Sequence, residues 1–152
     1  MIYIGVDVGA NGGIAVLPDN ENDIETYVYT DMKLRELAGK YKDNCKVTVE
    51  KVHSMPSQGV ASTFSFGRAY GYILGVLEAN GINYTLVDPR LWKGYFGVTA
   101  DKQTSIQMCR KLFPDVNLKR TDRCRTYHDG KAEALLIALY GLRNDRSAHH
   151  SK

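Results

Sequence analysis

The chain has 152 residues, the size of one ordinary domain, and 43% hydrophobic and 24% charged residues are typical of a soluble globular protein. The net charge of +3 is too small to indicate a nucleic-acid partner by itself. Three cysteines without CxxC spacing argue against a disulfide framework or a zinc site. They predict free thiols and a cytoplasmic location. We expect no signal peptide and no membrane-spanning segment.

The first part of the chain predicts an antiparallel meander, then a helix and a fourth strand. Three β-rich runs are joined by short polar turns, which is the pattern of neighbouring antiparallel strands. A short helical period follows and ends near Gly39. The predicted elements are strands 1–8, 14–17 and 24–30, a helix 31–40 and a strand 45–52.

The second part predicts helices around one more strand. Gly81 ends a long amphipathic helix, and Asp88-Pro89 begins a turn that carries Trp92 and Lys93. Thr99 is the expected cap of the next helix. The predicted elements are helices 63–80, 100–113 and 128–142 and a strand 83–87, with a basic loop before the last helix. The order predicts an α/β fold, a mixed five-stranded sheet flanked by helices, as one domain over 1–143 with a disordered tail over 144–152.

Two acidic residues end predicted strands. Asp7 closes the first apolar strand, and Glu50 lies on the face of the fourth strand opposite Val47 and Val49. Each has an ordinary alternative, because Asp7 could form a turn with its own backbone and Glu50 could face solvent.

Asp129 and Glu133 lie four residues apart, so they share one face of the last helix, about 6 Å apart at Cβ. Acids near a helix N-terminus are also common without any function. Four converging carboxylates would resist full ionisation, and a divalent cation would remove that penalty. Oxygen ligands suit Mg²⁺ or Mn²⁺, and two such ions about 4 Å apart can clamp the attacking water and the leaving 3′ oxygen of a phosphodiester.

The ordered segments of the chain resemble the RuvC-type Holliday junction resolvases over about residues 1–142. These segments are IGVDVGANGGIAVL, VTVEKVHSMP, FGRAYGYILGVLEANGINYTLVDPRLWKGYFGVTADK and HDGKAEALLIALYG. The resemblance implies an RNase H-like fold, a homodimer of the small bacterial or bacteriophage branch, and Mg²⁺-dependent nicking of four-way DNA junctions at symmetric positions. It matches Asp7 to the first-strand metal ligand, Glu50 to the acid of the fourth strand and Glu133 to the last acid.

The final acidic pair departs from the family pattern. Family members often space it as acid-x-x-acid, which would place the partner of Glu133 at Gly130. Here the candidates are Asp129, as the fourth metal ligand, and His128. His128 is predicted to be a metal ligand or a general base, and the alternative is an N-cap residue without a catalytic role.

Basic and aromatic positions predict the DNA contacts. The resemblance places DNA-contacting lysines at Lys93 and Lys102, with Lys102 also near the chemistry, although each could be an ordinary surface lysine. His53 stands where family members often carry an aromatic wedge. The charge density of the basic loop predicts further phosphate contacts by Arg120, Arg123 and Arg125.

Gly67, Gly71 and Gly75 form a smooth stripe on the long helix, for packing either on the chain's own sheet or on a second subunit.

Alternative functions are an actin-type ATPase domain, suggested by the glycines around Asp7, and a non-catalytic junction-binding module. A nuclease for flaps or RNA–DNA hybrids is a third.

Overall fold

The computed structural model describes residues 1–150 and has a mixed five-stranded sheet flanked by helices, as the sequence predicts. The strand order is β3-β2-β1-β4-β5. β1 pairs antiparallel with β2 and β2 with β3, whereas β4 lies parallel to β1 and β5 parallel to β4. The elements are β1 Ile2–Asp7, β2 Gly13–Pro18, β3 Glu25–Val28, α1 Asp31–Tyr41, β4 Cys45–Glu50, α2 Val60–Ala79, β5 Tyr84–Val87, α3 Pro89–Phe96, α4 Lys102–Leu112 and α5 Asp129–His150.

Each face of the sheet has its own core. Ile4 and Val6 of β1 belong to the cluster that contains α1 and α2 side chains, whereas Tyr3 belongs to the cluster built around α5. Side chains alternate along a strand, so Gly5 and Asp7 face α5 with Tyr3. A Cβ on Gly5 would overlap the backbone of Ala134, and this close approach lets α5 lie directly on β1.

The turn predicted after β5 is a helix. Asp88 caps α3 by accepting a hydrogen bond from the Arg90 amide at 2.8 Å, and Pro89 occupies the first helical position. Proline is well tolerated there because that amide has no helical partner. The cap predicted for α4 is also wrong, since Asp101 rather than Thr99 accepts from the Gln103 amide. The element order is therefore βββαβαβααα.

The tail prediction is wrong for residues 144–150, because α5 continues to His150. Asp145 accepts hydrogen bonds at 2.5 Å from both the Lys46 ammonium and the Tyr3 hydroxyl. Arg146 forms an ion pair with Glu21 at 3.0 Å. These contacts join the end of the helix to β1, β4 and the β2–β3 turn. Residues 151 and 152 lie outside the described residues.

The cysteines are free, as predicted. Cys45 and Cys109 are buried, and Cys124 is partly exposed. Among residues 1–150, no helix is both long and apolar enough to cross a membrane.

Candidate active site

The parallel pairing of β1 and β4 brings the two strand-end acids together. The register pairs Val6 with Val49, the residues immediately before Asp7 and Glu50. Asp7 is only 6% exposed although it carries a carboxyl group. Both acids therefore lie at the same end of the sheet, on the face that α5 covers.

Helix α5 supplies the other two acids. Glu133 is 2% exposed and Asp129 is half-buried. Burial raises the pKa of Asp7 well above its ordinary value, and the charges of Glu133, Glu50 and Asp129 raise it further against the opposing charge of Lys102. The four predicted acids thus act on one another electrostatically and form one site, which we call the acidic site.

Glycines determine how α5 reaches this site. A Cβ on Gly130 would overlap the carbonyl oxygen of Asn11, and a Cβ on Gly13 would overlap the carbonyl oxygen of Gly130. An acid at position 130 is therefore incompatible with this position of the helix. The position at which family members often carry the partner acid thus has no room for a side chain here, and the assignment of Asp129 as that partner stays a prediction.

Two lysines form ion pairs with acids of the acidic site. The Lys102 ammonium lies 3.0 Å from Glu133 and 3.5 Å from Asp129, and Lys93 lies 3.9 Å from Glu133. Burial disfavours the charge on Lys102, but the attraction of Glu133, Asp7 and Asp129 outweighs it and raises the pKa of Lys102. The side chain of Lys102 is 54% exposed, so Lys102 lies at the solvent-facing mouth of the site.

Two further polar contacts were not predicted from the sequence. The buried Trp92 donates its indole N–H to Glu50 Oε2 at 2.7 Å, and the Ser105 hydroxyl donates to Glu133 Oε1 at 3.4 Å. Burial raises the pKa of Glu50, and the Trp92 hydrogen bond opposes that rise. The Asp88-Pro89 pair was the available signal, because a proline at the first position of a helix would have placed Trp92 on a helix rather than in a turn.

His128 caps α5, in agreement with its alternative interpretation. Its Nδ1 accepts a hydrogen bond from the Lys131 amide at 3.2 Å. The ring is buried, and Nε2 has no hydrogen-bond partner in the part of the chain that the structure describes. Burial lowers the pKa of His128, so the neutral ring is favoured. A role of His128 as a metal ligand or base stays a prediction.

The remaining DNA-contact candidates lie on loops. Arg120, Arg123 and Arg125 belong to the largely exposed segment that leads into α5. His53 is exposed in the loop between β4 and α2. In α2, near that loop, Phe66 packs against the core, whereas Phe64 is 75% exposed. Contact of these residues with DNA stays a prediction.

The glycine stripe of α2 does not pack on the chain's own sheet. A Cβ at Gly67, Gly71 or Gly75 would meet no atom within 4 Å. The prediction that this stripe packs on the chain's own sheet is therefore wrong, and this surface of the helix is open.

The acidic site fits divalent cations by its chemistry. Within residues 1–150, no three histidine, cysteine or acidic side chains are close enough to hold an ion as they stand. The Lys102 ammonium instead contacts two of the acids as a cation. Burial and the repulsion of neighbouring acids raise the pKa of Asp7, and oxygen donors in such a setting are a ligand set that Mg²⁺ or Mn²⁺ would stabilise.

Solved Holliday junction resolvases have a similar fold. Thermus thermophilus RuvC in complex with a Holliday junction substrate aligns with a TM-score of 0.65 and 18% identity over 96% of both chains. The yeast mitochondrial Holliday junction resolvase aligns with a TM-score of 0.60 and 12% identity over 97% of this chain and 80% of its own. The fowlpox virus resolvase, in a complex with Holliday junction DNA, aligns with a TM-score of 0.54 and 19% identity over 93% of this chain and 98% of its own. No protein-family model and no curated protein matches the sequence. The chain therefore has a RuvC-like, RNase H-like fold.

Proposed function

We propose that this chain, with its RuvC-like fold, is a metal-dependent endonuclease that cleaves branched DNA. Its main activity is the resolution of Holliday junctions by paired, symmetric nicks. The observation that carries the proposal is the acidic site, where Asp7, Glu50, Asp129 and Glu133 meet at the end of the sheet beside Lys102. Two structural neighbours are complexes with Holliday junctions, which supports branched DNA as the ligand.

The chain's own cations would bind the scissile phosphate. Hydrolysis by water gathers negative charge on the phosphate oxygens, and a fixed positive charge beside them lowers the barrier. Lys102 is half-exposed next to Glu133, and Lys93 lies deeper against the same carboxylate. Both ammonium groups can therefore approach a phosphate at the mouth of the acidic site. We expect products with 5′-phosphate ends.

Asp7, Glu50, Asp129 and Glu133 would hold Mg²⁺, or Mn²⁺ in its place, as two ions in each site. When bound, the ions would supply Lewis-acid stabilisation of the phosphate oxygens and orient the attacking water. Trp92 fixes one oxygen of Glu50, which limits the rotation of that carboxylate. Positioning of this kind reduces the reorganisation that binding would otherwise require.

A junction needs two nicks, so we propose that two chains act together as a homodimer. The open glycine stripe of α2 lets a second backbone approach closely, and a two-fold contact would use the same stripe on both subunits. DNA would then be held by Lys93, Lys102, Arg120, Arg123 and Arg125, with His53 at the branch point.

The test is cleavage of labelled synthetic substrates by the purified protein. A four-way junction, a Y-fork, a flap, an RNA–DNA hybrid and a linear duplex are each incubated with Mg²⁺ and with EDTA. We expect paired nicks at symmetric positions in the junction with Mg²⁺ only. Asp7→Asn, prepared in parallel, is expected to bind the junction with an affinity near that of the wild type but not to cleave it.

Other outcomes would contradict the proposal in distinguishable ways. Junction binding without cleavage under any metal condition would identify a non-catalytic binding module. Preferred cleavage of the flap or the hybrid would identify a different RNase H-like nuclease. Equal cleavage by Asp7→Asn would reject the assignment of the acidic site, because a contaminating nuclease or another site would then be responsible. Metal-dependent ATP hydrolysis without DNA cleavage would favour the ATPase alternative.

A further inference from the structure

The arginines before α5 belong to a small hairpin formed by residues 119–127, which we call the basic hairpin. Lys119 and Tyr127 form an isolated antiparallel bridge, and the Cys124 amide donates to the Thr121 carbonyl at 3.0 Å. The hairpin is solvent-exposed along most of its length. Its last residue, Tyr127, lies two positions before Asp129, so the hairpin adjoins the acidic site.

A buried lysine of α5 holds the base of this hairpin. Lys131 is 6% exposed, and its ammonium donates a hydrogen bond at 2.5 Å to the carbonyl oxygen of Lys119. Burying an ammonium group is costly unless it is hydrogen-bonded. A non-polar side chain would avoid that cost. The hydrogen bond to the hairpin backbone offsets it and gives the buried lysine a structural role.

Two further contacts lie at the ends of the same hairpin. The His128 amide donates to the Leu118 carbonyl at 2.7 Å, and the Arg110 guanidinium of α4 lies 4.6 Å from the centre of the Tyr127 ring. The first contact lies at Leu118, just before the hairpin, and the second at its last residue. Lys131 is the side chain of α5 that bonds the hairpin backbone itself, at Lys119.

We propose that Lys131 is a positioning residue, which clamps the basic hairpin to α5 so that its arginines are held beside the acidic site to receive DNA phosphates. The inference rests on the proposed function for the identity of the ligand, but the clamp itself does not. Asp129 and Glu133 lie on the same rigid helix as Lys131. The clamp therefore sets the position of Arg120, Arg123 and Arg125 relative to the carboxylates.

The physical consequence concerns the entropy of DNA binding. A hairpin that is ordered before binding does not have to be ordered by the DNA, so more of the interaction energy appears as affinity. Without the hydrogen bond from Lys131, the first strand of the hairpin would move. The arginines would then bind fewer phosphates at the same time, although their charge would remain.

The first experiment tests the clamp without DNA. Lys131→Met keeps the length of the side chain and removes the ammonium, and limited trypsin digestion reports on the mobility of the hairpin. We expect cleavage at Arg120, Arg123 or Arg125 to be at least about tenfold faster than in the wild type, at a temperature where both proteins are folded. The matched control is Lys42→Met, which removes an exposed lysine at the opposite end of the sheet. Equal digestion of Lys131→Met and wild type would overturn the clamp.

The second experiment is a double-mutant cycle on junction binding. One variant is Lys131→Met, one replaces all three hairpin arginines by alanine, and the third combines both changes. We expect Lys131→Met alone to weaken binding and to reduce the salt slope of log K by about one for each phosphate that the hairpin no longer neutralises. In the variant that lacks the three hairpin arginines, Lys131→Met should have almost no further effect on binding, because it acts through those side chains.

Steady-state kinetics distinguishes a displaced hairpin from a disturbed acidic site. Lys131→Met should raise KM for the junction while kcat at saturation changes by less than about twofold, whereas a disturbed acidic site would lower kcat. An equal weakening of affinity with and without the arginines would overturn the proposal. Absence of junction binding by the wild type would reject the proposed function and the DNA part of this inference, while the trypsin result would still decide whether the clamp exists.

Discussion

At the scale of single residues, the buried carboxyl of Asp7 shows how clustered acids can destabilise the protein that carries them. Burial and three neighbouring acids raise the pKa of Asp7, so its ionised form is disfavoured in the folded chain. A group whose folded-state pKa is raised binds more protons in the folded state than in the unfolded state. Stability therefore falls as the pH rises from the unfolded pKa through the folded pKa.

Asp7→Asn should raise the melting temperature of the metal-free protein at neutral pH. Asparagine has nearly the same shape without the charge, and each kcal/mol gained corresponds to roughly 2–4 °C for a chain of this size. The difference in melting temperature between the two proteins should shrink as the pH is lowered, because Asp7 is then protonated in the wild type. Thermal unfolding in EDTA between pH 4 and pH 8 measures this difference. A lower melting temperature for Asp7→Asn at pH 7 would contradict the prediction.

Trp92 offers a direct reading of cation binding, because it is the single tryptophan and its indole contacts Glu50 at 2.7 Å. Paramagnetic Mn²⁺ bound by Glu50 should quench its fluorescence, and Mg²⁺ should compete with this quenching. In Glu50→Gln we expect the Mn²⁺ concentration that gives half-maximal quenching to rise about tenfold or more. Metal affinity commonly falls by this amount when a ligand, or a residue that orients a ligand, is removed. Glu36→Gln, an exposed acid of α1, is the matched control and should leave the titration unchanged.

At the scale of elements, the packing of α5 on β1 decides where the acids meet. Gly5, Gly13 and Gly130 each lack room for a Cβ, so helix and strands approach at backbone distance. Any side chain at these positions would push α5 away and carry Asp129 and Glu133 with it. The glycines are therefore part of the site, although they carry no chemistry.

Gly5→Ala should lower the free energy of unfolding by about 1–3 kcal/mol, because the new methyl group would overlap the backbone of Ala134. Junction cleavage should fall with it, since the acids on α5 shift relative to Asp7. Gly39→Ala is the control, because its Cβ would stand in open space on α1, where alanine is expected to stabilise by up to about 1 kcal/mol. Denaturant unfolding of both variants makes the comparison. Similar stabilities would show that α5 is free to adjust.

The end of α5 depends on side-chain contacts rather than on its own helical propensity. Asp145→Ala removes the acceptor for both Lys46 and Tyr3. We expect amide hydrogen exchange to become faster over residues 143–150 and to stay unchanged over residues 130–140, which are largely buried in the core. Asn144→Ala, at an exposed position of the same segment, serves as the control. Unchanged protection in Asp145→Ala would mean that the last turns are helical without these contacts.

At the scale of the whole molecule, the open surface of α2 is where the proposed dimer would form. Gly71→Glu places a charged side chain in the stripe without touching the chain's own atoms, so the subunit should still fold. Light scattering should then show a mass near 17.0 kDa for the variant and twice that for the wild type. Gly39→Glu, on an exposed position of α1, should remain dimeric. A wild type of 17.0 kDa would reject the homodimer.

The sequence was sufficient for most of the fold, because strands and helices are recognisable from local periodicity. Alternation in β4 predicted that Glu50 lies opposite Val47 and Val49, and the structure places those valines in the core beside α1 and α2. The short helix α3 was missed because Asp88-Pro89 is equally a turn and a helix start, and only packing of Trp92 in the core distinguishes them.

The sequence by itself determined the types and the order of the residues: four acids at the ends of strands and of a helix, the cations near them, and a mixed sheet to carry them. Tertiary structure alone decided that these acids share one site, since Asp7 and Glu133 are 126 positions apart and meet only because glycines let α5 lie on β1. It also decided the partners of Trp92, Lys131 and Asp145. Local patterns follow from the periods of helix and strand, whereas each of these contacts depends on which distant backbone packs nearby.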